Sequence, residues 1–595
     1  MNFVNSIAQR FLKKDFPPLV LYIIFIFAIV PKGLQWPIQL AFVLYALFIF
    51  WIIWWHAWDK HGQEEIKNAK FFRYLLVCSG VFFVFSRFFL FVRYGEAPLG
   101  YDTGFYLKSM ETVFEGAIGV DGHRIARALL WVPFLWLGVP KVYILHSLYV
   151  LSQFLIIGSL YSLARTMAVS SRLTYAAVLV FLFSVSLPQF FAYWWMFYQM
   201  EFAIAFLLMT LVLIHRRSVF ALITAGFGAA IHPSTFFPFG IALGIFAVVQ
   251  VMRTLFMGKK LERETLFIIG LGIIMIVIIQ QFAKEFILIY LRGTVNKYGW
   301  MLTNYPDYIR QQFTGLYIGP ALFRLADAYI LPFGFLGVLL FAFNKLPYKK
   351  GSNLRIRLLV FLILSVILFF LSHYPFIYQN RFLIILDLVI ILFAAYPFVY
   401  LLRYFLEDKK GYLVIMIFLL GFGAYSVYSI WKQKPQMYPD ELQEIKAIAQ
   451  VSDRSDYAMS TESLYTPWVY AFADRTTIDP GYLQYNKWTY EMWREFWYGG
   501  SDARRHELLN MYDRPIYIFV GKQVPETVRY KKFIKSDPYF EQISPHVWWY
   551  DPGRISERDV EEMYRLENPS TPVQILPAEG VDAPIDEGLL PNTLS

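Results

Sequence analysis

Long apolar runs, separated by short polar or charged stretches, make up the first 430 residues of this chain. Runs of about 18 or more apolar residues are long enough to cross a bilayer as helices. The pattern predicts a polytopic α-helical membrane protein with about thirteen spans. Their approximate bounds are 19–31, 36–55, 72–91, 141–163, 173–187, 201–214, 219–231, 234–251, 265–283, 327–343, 358–371, 382–402 and 412–430.

Composition and charge agree with this pattern. Only 16% of the 595 residues are charged, 57% are hydrophobic and the mean hydropathy is +0.45, whereas soluble proteins carry about a quarter charged residues. The net charge of +10 does not indicate a nucleic-acid partner, because Lys and Arg are concentrated in alternate short loops, as the positive-inside rule requires.

The same rule predicts the orientation. We expect a multi-pass protein of a plasma (inner) membrane, in contact with membrane lipids, with a cytoplasmic N-terminus and an extracytoplasmic C-terminal domain. No small-residue cleavage site follows the first apolar segment, so we expect that segment to be retained as a span.

The polar stretches predict the domain organisation. Residues 1–56 form an N-terminal membrane hairpin, and 57–432 form a transmembrane domain with two long outer loops, 93–140 and 284–326. The first loop contains "RIARALLWVPFLWLG" (124–138), which is too short to span and is typical of an interfacial helix.

Charged residues become frequent after Lys432. Residues 436–552 are predicted to form a small extracytoplasmic α/β domain, with a helix at 439–450 and strands at 515–521 and 546–551. The tail, 568–595, is rich in Pro and acidic residues and is predicted to be disordered.

Two acidic residues are candidates for chemistry. Asp102, in "GYDTGFYLKS", follows an apolar run; a carboxylate there could accept a proton from a hydroxyl or bind a cation, or it could cap a helix that begins at 103 or 104. Glu201 opens a span after a cluster of aromatics. Acids at membrane depth indicate function, although a carboxylate at the interface is the alternative.

Basic and imidazole side chains lie in the outer loops. Arg381 opens a late span and could bind a phosphate with its guanidinium, or anchor the span at the interface. His373 lies in the same loop, and Arg124 lies in the first outer loop. His232 precedes Pro233 in a tight outer turn, where it could bind a substrate hydroxyl or belong to a helix-capping turn.

Several classes of site lack their sequence signature. No Walker A loop, glycine-rich dinucleotide motif, HExxH or GxSxG is present, which weighs against an ATP-driven pump. The single cysteine, Cys78, excludes an intrachain disulfide. A divalent cation, Mg²⁺ or Mn²⁺, stays open as a cofactor, with Asp102 and Glu201 as candidate ligands.

Four features, in order along most of the chain, resemble the GT-C superfamily of integral-membrane glycosyltransferases. They are Asp102 in the first large outer loop, the amphipathic stretch after it, a late span that opens with "NRFLIILDLVI", and "STESLYTPWVYAFADRTTIDPGY" (460–482) in the C-terminal domain. The last stretch is similar to the catalytic subunit of oligosaccharyltransferases, which carry WWDYG before "NRTT". Here Trp468-Val-Tyr precedes "DRTT", the full WWDYG is missing, and "FWYGG" (496–500) lies downstream.

The resemblance implies roles residue by residue. Asp102 would be the catalytic base for the acceptor hydroxyl, and Arg381 would bind the donor phosphate together with Arg124. The other residues that it places along the substrate cavity are Glu201, His232, His373, Trp468 and Tyr470.

The implied donor is a polyprenyl-phosphate-linked sugar, and the acceptor a glycan, lipid or protein on the non-cytoplasmic face. Two alternatives stay open. One is an oligosaccharyltransferase or glycan ligase that uses a lipid-diphosphate donor. The other is a transporter or lipid flippase, for which paired repeats and charged residues at mid-membrane would be typical. Asp387 is a charged residue inside a predicted span, so this alternative is retained.

Overall fold

The computed structural model is mostly helical and ends in a small domain built on a β-sheet. It describes residues 16–29, 36–56, 74–83 except 75, 85, 92–93, 100, 102–112, 130–167, 198–258, 260–261, 263–282, 330–343, 379–406, scattered positions between 413 and 431, and 434–567 except 463 and 481–486.

The membrane region is formed by apolar helices. They are α1 (Phe16–Ile29) and α2 (Trp36–Trp51, followed by a π-helical turn, Ile52–His56) and, after a short helix of mixed polar and apolar residues, α3 (Thr103–Thr112), the apolar helices α4 (Lys141–Met167), α5 (Tyr198–His215), α6 (Phe220–Ile231), α7 (Pro233–Met257), α8 (Arg263–Phe282), α9 (Leu331–Ala342) and α10 (Gln379–Leu406).

Three helices in the described part of the chain are long and apolar enough to cross a membrane. They are Lys141–Leu163, Tyr198–His215 and Pro238–Met257. Shorter apolar helices occupy the other predicted spans that are described. The predicted spans 173–187 and 358–371 lie outside the described residues, and 72–91 and 412–430 are described only in part, so the total of thirteen stays a prediction.

Close helix packing explains several sequence features. The Tyr22 hydroxyl donates to the Ala46 carbonyl at 3.1 Å and ties α1 to α2. A Cβ on Gly337 of α9 would lie 2.1 Å from the Phe393 carbonyl oxygen of α10. Only a glycine permits that approach, because any other residue brings a Cβ. Small residues let backbones in membrane bundles come together in this way.

The C-terminal domain contains the following elements: α11 (Pro439–Val451), β1 (Tyr457–Ser460), α12 (Thr466–Phe472), β2 (Thr476–Ile478), α13 (Tyr490–Arg494), a π-helix (Glu495–Gly499), α14 (Asp502–Leu509), β3 (Ile516–Phe519), α15 (Arg529–Ser536), β4 (Phe540–Ser544), β5 (Val547–Tyr550), a 3₁₀ turn (Pro552–Arg554) and α16 (Glu557–Glu567). The predicted helix at 439–450 and the two predicted strands are confirmed.

The five strands form one mixed sheet in the order β2-β1-β3-β5-β4. Strands β1, β2 and β3 are parallel, with Ala458 opposite Thr477 and Tyr517. Strand β5 runs antiparallel to both β3 and β4. Strands β1 and β3 are buried along their whole length, which is typical of parallel strands covered on both faces.

Helix α16 lies beyond the predicted boundary at 552 and packs on α14. Its last residue, Glu567, accepts hydrogen bonds from the Asp502 and Ala503 amides at 2.9 and 3.4 Å. The first amides of a helix have no intrahelical partner, so this carboxylate supplements the Ser501 cap of α14, whose hydroxyl accepts from the Arg504 amide at 3.1 Å.

Candidate functional site

Asp102 stands directly before the first turn of α3. The Tyr106 amide donates to the Asp102 carbonyl at 3.0 Å, and the Thr103 amide donates to the Gly100 carbonyl at 3.2 Å. The expectation that a helix begins at 103 or 104 is therefore confirmed. The Tyr106 hydroxyl also donates to Asp102 Oδ2 at 3.4 Å, so the half-buried carboxylate is held beside a phenol.

Helix α3 packs directly on α12 of the C-terminal domain. A Cβ on Gly104 would lie 2.0 Å from the Pro467 carbonyl oxygen and 3.0 Å from the Trp468 amide nitrogen. Lys108 Nζ lies 3.5 Å from Asp474 Oδ1, just after α12. The contact therefore brings the helix that follows Asp102 against the helix that carries Trp468 and Tyr470. We call this contact the α3–α12 seam.

Trp468 is fully buried in the core of the C-terminal domain. Its ring stacks on Phe472, with centroids 6.2 Å apart and planes 16° apart. Its indole N–H has no hydrogen-bond partner among the described residues, although a buried indole nitrogen usually has one. Tyr470, on the same helix, is half-buried.

A buried carboxylate lies at the end of β2, behind α12. The Thr466 hydroxyl of α12 donates to the Pro480 carbonyl at 3.3 Å, and Asp479 precedes that proline. Asp479 Oδ1 accepts from the Ser460 amide at 2.8 Å. Complete burial raises the pKa of Asp479 well above its usual range, because desolvation disfavours the charged form.

An aromatic network joins α3 to α5. The Tyr106 and Tyr198 rings meet edge to face, 4.9 Å apart. The Tyr198 hydroxyl accepts a hydrogen bond from the Trp131 indole N–H at 2.7 Å and one from the side-chain amide of Gln199 at 3.2 Å. Trp131 belongs to the helical residues 130–136, which lie inside the predicted interfacial stretch.

Glu201 is completely buried in the first turn of α5. Its Oε2 accepts a hydrogen bond from Gln153 of α4 at 2.9 Å. The side chain therefore lies between two helices, and the choice between a functional acid and a carboxylate at the membrane interface stays open. A buried acid with an amide partner is costly in a membrane and indicates a selected role.

His232 lies in the turn between α6 and α7, as expected. Its Nδ1 is 2.6 Å from the Thr235 hydroxyl, and the side chain is buried. The backbone of Arg381 lies in the first turn of α10, so the prediction that it opens a helix is confirmed. Arg124 and His373 fall outside the described residues.

Among the described residues, no three His, Cys, Asp or Glu side chains come together in a group that could hold a metal ion. Asp102 and Glu201 as cation ligands stay a prediction. Asp387 lies within α10, and its side chain is fully buried.

Sequence reasoning missed the residues that connect these groups. Gln153 is a polar residue within an apolar span, which could have indicated a buried partner. Gly104 directly follows the "DT" of the opening motif, but the sequence does not show that its partner is Pro467. Nothing in the sequence singled out Trp131 and Tyr198 from the many other aromatic residues of the chain.

Comparison with known proteins gives limited findings. No protein-family model matches the chain, and no curated protein matches it in sequence. Two of the solved structures to which this chain is similar are of the oligosaccharyltransferase from Archaeoglobus fulgidus. One, in complex with Zn and sulfate, is 13% identical with a TM-score of 0.47, covering 81% of this chain and 74% of that chain.

The other is the same archaeon's oligosaccharyltransferase AglB in complex with an inhibitory peptide and a dolichol-phosphate. It is also 13% identical with a TM-score of 0.47, covering 83% of this chain and 75% of that chain.

Proposed function

We propose that this chain is a membrane glycosyltransferase of the GT-C type, which moves a sugar from a polyprenyl-phosphate carrier to an acceptor on the non-cytoplasmic face. The observation that carries the proposal is the α3–α12 seam. It places the helix that begins beside Asp102 against the helix of Trp468 and Tyr470, although the two are far apart in sequence. A base and an acceptor-binding surface must lie close together to act on one hydroxyl.

The proposed step is a substitution at the anomeric carbon. The acceptor oxygen forms a bond to C1 of the sugar while the bond from C1 to the carrier phosphate oxygen breaks. The acceptor proton passes to the Asp102 carboxylate, and the phosphate leaves with the bonding electron pair. We assign Arg381 to bind the phosphate and stabilise its negative charge, because a guanidinium can donate two parallel hydrogen bonds to phosphate oxygens.

The surroundings of Asp102 suit this role. Tyr106 donates to its Oδ2 and is itself fixed by ring contact with Tyr198. A base held by such contacts loses little orientation when the acceptor arrives. Tyr470, which is half-buried on α12, supplies aromatic surface near the same seam, and aromatic faces suit sugar rings and prenyl chains; Trp468 is buried in the core and holds α12 in place.

The test uses membranes that contain a labelled polyprenyl-phosphate sugar. We expect Asp102→Asn to keep its protein level and donor binding but to lose transfer by about 10²–10⁴-fold, the usual contribution of a general base. Arg381→Ala should weaken donor binding. The control is Glu541→Gln, an exposed acid on β4, which should transfer normally.

Three outcomes decide between the readings. Persistent transfer by Asp102→Asn refutes the base assignment. Transfer from a diphosphate carrier but not from a monophosphate carrier favours the oligosaccharyltransferase or ligase alternative. Solute uptake without transfer, unaffected by either substitution, establishes the transporter alternative.

The proposed compartment has its own test. In a Cys78→Ser background, Glu111→Cys on α3 should react with a membrane-impermeant thiol reagent from the outer side only. Glu111 is suitable because its side chain is 41% exposed. Labelling from the cytoplasmic side alone would contradict the orientation and the proposed reaction together.

A further inference from the structure

The α3–α12 seam is a backbone contact at Gly104. The nearest atoms to an added Cβ are the carbonyl oxygen and carbon of Pro467, at 2.0 and 2.5 Å, and the Trp468 amide nitrogen. Carbon–oxygen contacts between packed helices are normally about 3.3–3.6 Å. Because the opposing atoms are backbone, no side-chain rotation can relieve the clash, and α3 would have to move by more than about 1 Å to reach such a distance.

A chain of charges crosses the same seam. Lys108 of α3 lies 3.5 Å from Asp474 and 3.6 Å from Glu111, and Glu111 lies 2.9 Å from Lys141 at the start of α4. These side chains are between 28% and 71% exposed, so each pair contributes little to stability. The charges orient α3, while the contact at Gly104 determines how closely it approaches α12.

The backbone at Asp474 supports this arrangement. Its φ of 50° is left-handed, a conformation that Asp and Asn adopt more readily than most residues. The chain turns there directly after α12, and the turn brings the carboxylate to Lys108. The ion pair therefore depends on a backbone conformation that the residue type tolerates.

We propose that Gly104 is a positioning residue, and that its contact with Pro467 sets the distance between Asp102 and the acceptor held at α12. This inference rests on the proposed function. Asp102 is two residues before Gly104, at the same end of α3, so a displacement of the helix carries the carboxylate with it. A misplacement of about 1 Å in a catalytic group can reduce the rate by about 100-fold.

The first experiment compares Gly104→Ala with Gly158→Ala in the full-length protein. Gly158 is an exposed glycine of α4, and nothing lies within 4 Å of the Cβ that would be added there. We expect Gly104→Ala to lower the maximal transfer rate by about 100-fold and to leave the KM for the lipid donor unchanged. Gly158→Ala should match the wild type in both.

A second readout does not require activity. Hydrogen exchange, measured by mass spectrometry, should become faster in peptides that cover 100–112 and 464–473 in Gly104→Ala, and stay unchanged in Gly158→Ala. Exchange in β3 and β5 should stay slow in both variants, because these strands lie in the core of the C-terminal domain.

A charge variant tests the seam without added volume at Gly104. Asp474→Lys places two like charges together and should reduce transfer by about fivefold or less, as expected for an exposed pair. Adding Lys108→Gln should restore most of the loss, because the repulsion disappears. Strain at residue 474 alone would not be rescued in this way.

Each outcome supports or overturns the proposal. Faster exchange at the seam together with a lower maximal rate supports it, and so does rescue of Asp474→Lys by Lys108→Gln. Unchanged hydrogen exchange at 100–112 and 464–473 in Gly104→Ala shows that the contact at Gly104 does not hold the two helices together, and overturns the proposal. Faster exchange with a normal transfer rate overturns the positioning role of Gly104 but leaves the proposed function intact.

If Gly104→Ala does not fold, the charge variants decide: loss of transfer in Asp474→Lys that Lys108→Gln does not restore overturns the proposal. Absence of transfer by the unaltered protein overturns the proposed function and the positioning role together, while exchange still decides the seam.

Discussion

Replacing Asp479 by asparagine should stabilise the C-terminal domain at neutral pH. The aspartate is completely buried, and its Oδ1 accepts from the Ser460 amide at 2.8 Å. Its Oδ2 has no hydrogen-bond partner among the described residues. Asparagine has nearly the same shape and can accept the same hydrogen bond, but it has no charged form to be desolvated.

The sign follows from the raised pKa of Asp479, whose cause is burial. At pH values below the unfolded-state pKa of about 3.9, the carboxyl is protonated in both states and its stabilising contribution is complete. As the pH rises further, the unfolded chain loses the proton first, so the free energy of unfolding falls until the folded-state pKa is passed. Each pH unit in that interval costs about 1.4 kcal/mol.

The assay is urea-dependent pulse proteolysis of the full-length protein in nanodiscs at pH 5, 6 and 7. We expect Asp479→Asn to unfold at higher urea than the wild type at pH 7, with a difference that shrinks as the pH is lowered. Asp559→Asn is the opposite control, because hydrogen bonds from Ser556 lower the pKa of that exposed acid. A variant Asp479→Asn that is less stable at pH 7, with the pH dependence of the wild type, would refute the reasoning.

Three further substitutions test packing. Tyr198→Phe removes the acceptor for the Trp131 indole and should cost about 1–3 kcal/mol, measured as a lower Tm in detergent; an unchanged Tm contradicts the network. Gly337→Ala adds a Cβ 2.1 Å from the Phe393 carbonyl and should cost about 1–3 kcal/mol in the same assay, where no loss would contradict the close approach. Glu567→Ala removes the acceptor of the Asp502 and Ala503 amides but leaves the Ser501 cap of α14 in place, and should cost about 0.5–1.5 kcal/mol by pulse proteolysis; an unchanged urea midpoint would contradict the contact.

Local features were accessible from the sequence because local rules govern them. Pro439, at the first helical position, predicted the helix at 439–450, and apolar segments rich in β-branched and aromatic residues predicted β3 and β5. The structure confirms all three elements. The beginning of α3 after Asp102 and of α10 near Arg381 followed from the ends of polar and apolar runs.

Long-range contacts were not accessible in the same way. The pairing of Gln153 with Glu201 depends on the rotation of two helices, α4 and α5, whose polar residues are not gathered on one side, so the pattern does not define a facing side. Strand β4 was missed because its residues are mostly polar and exposed at the sheet edge. The resemblance to a family indicated that Asp102 and Trp468 cooperate, but only the coordinates give the contact at Gly104.

The order of synthesis gives the α3–α12 seam a consequence for biogenesis. Helix α3 ends at Thr112, and its partner begins at Thr466, so the ribosome needs roughly 20 to 70 s to produce the second half of the contact. Until then the Gly104 surface lacks its partner, and the two helices that the proposed function brings together are still apart. Under the proposed function, a nascent or truncated chain that lacks α12 would therefore be inactive.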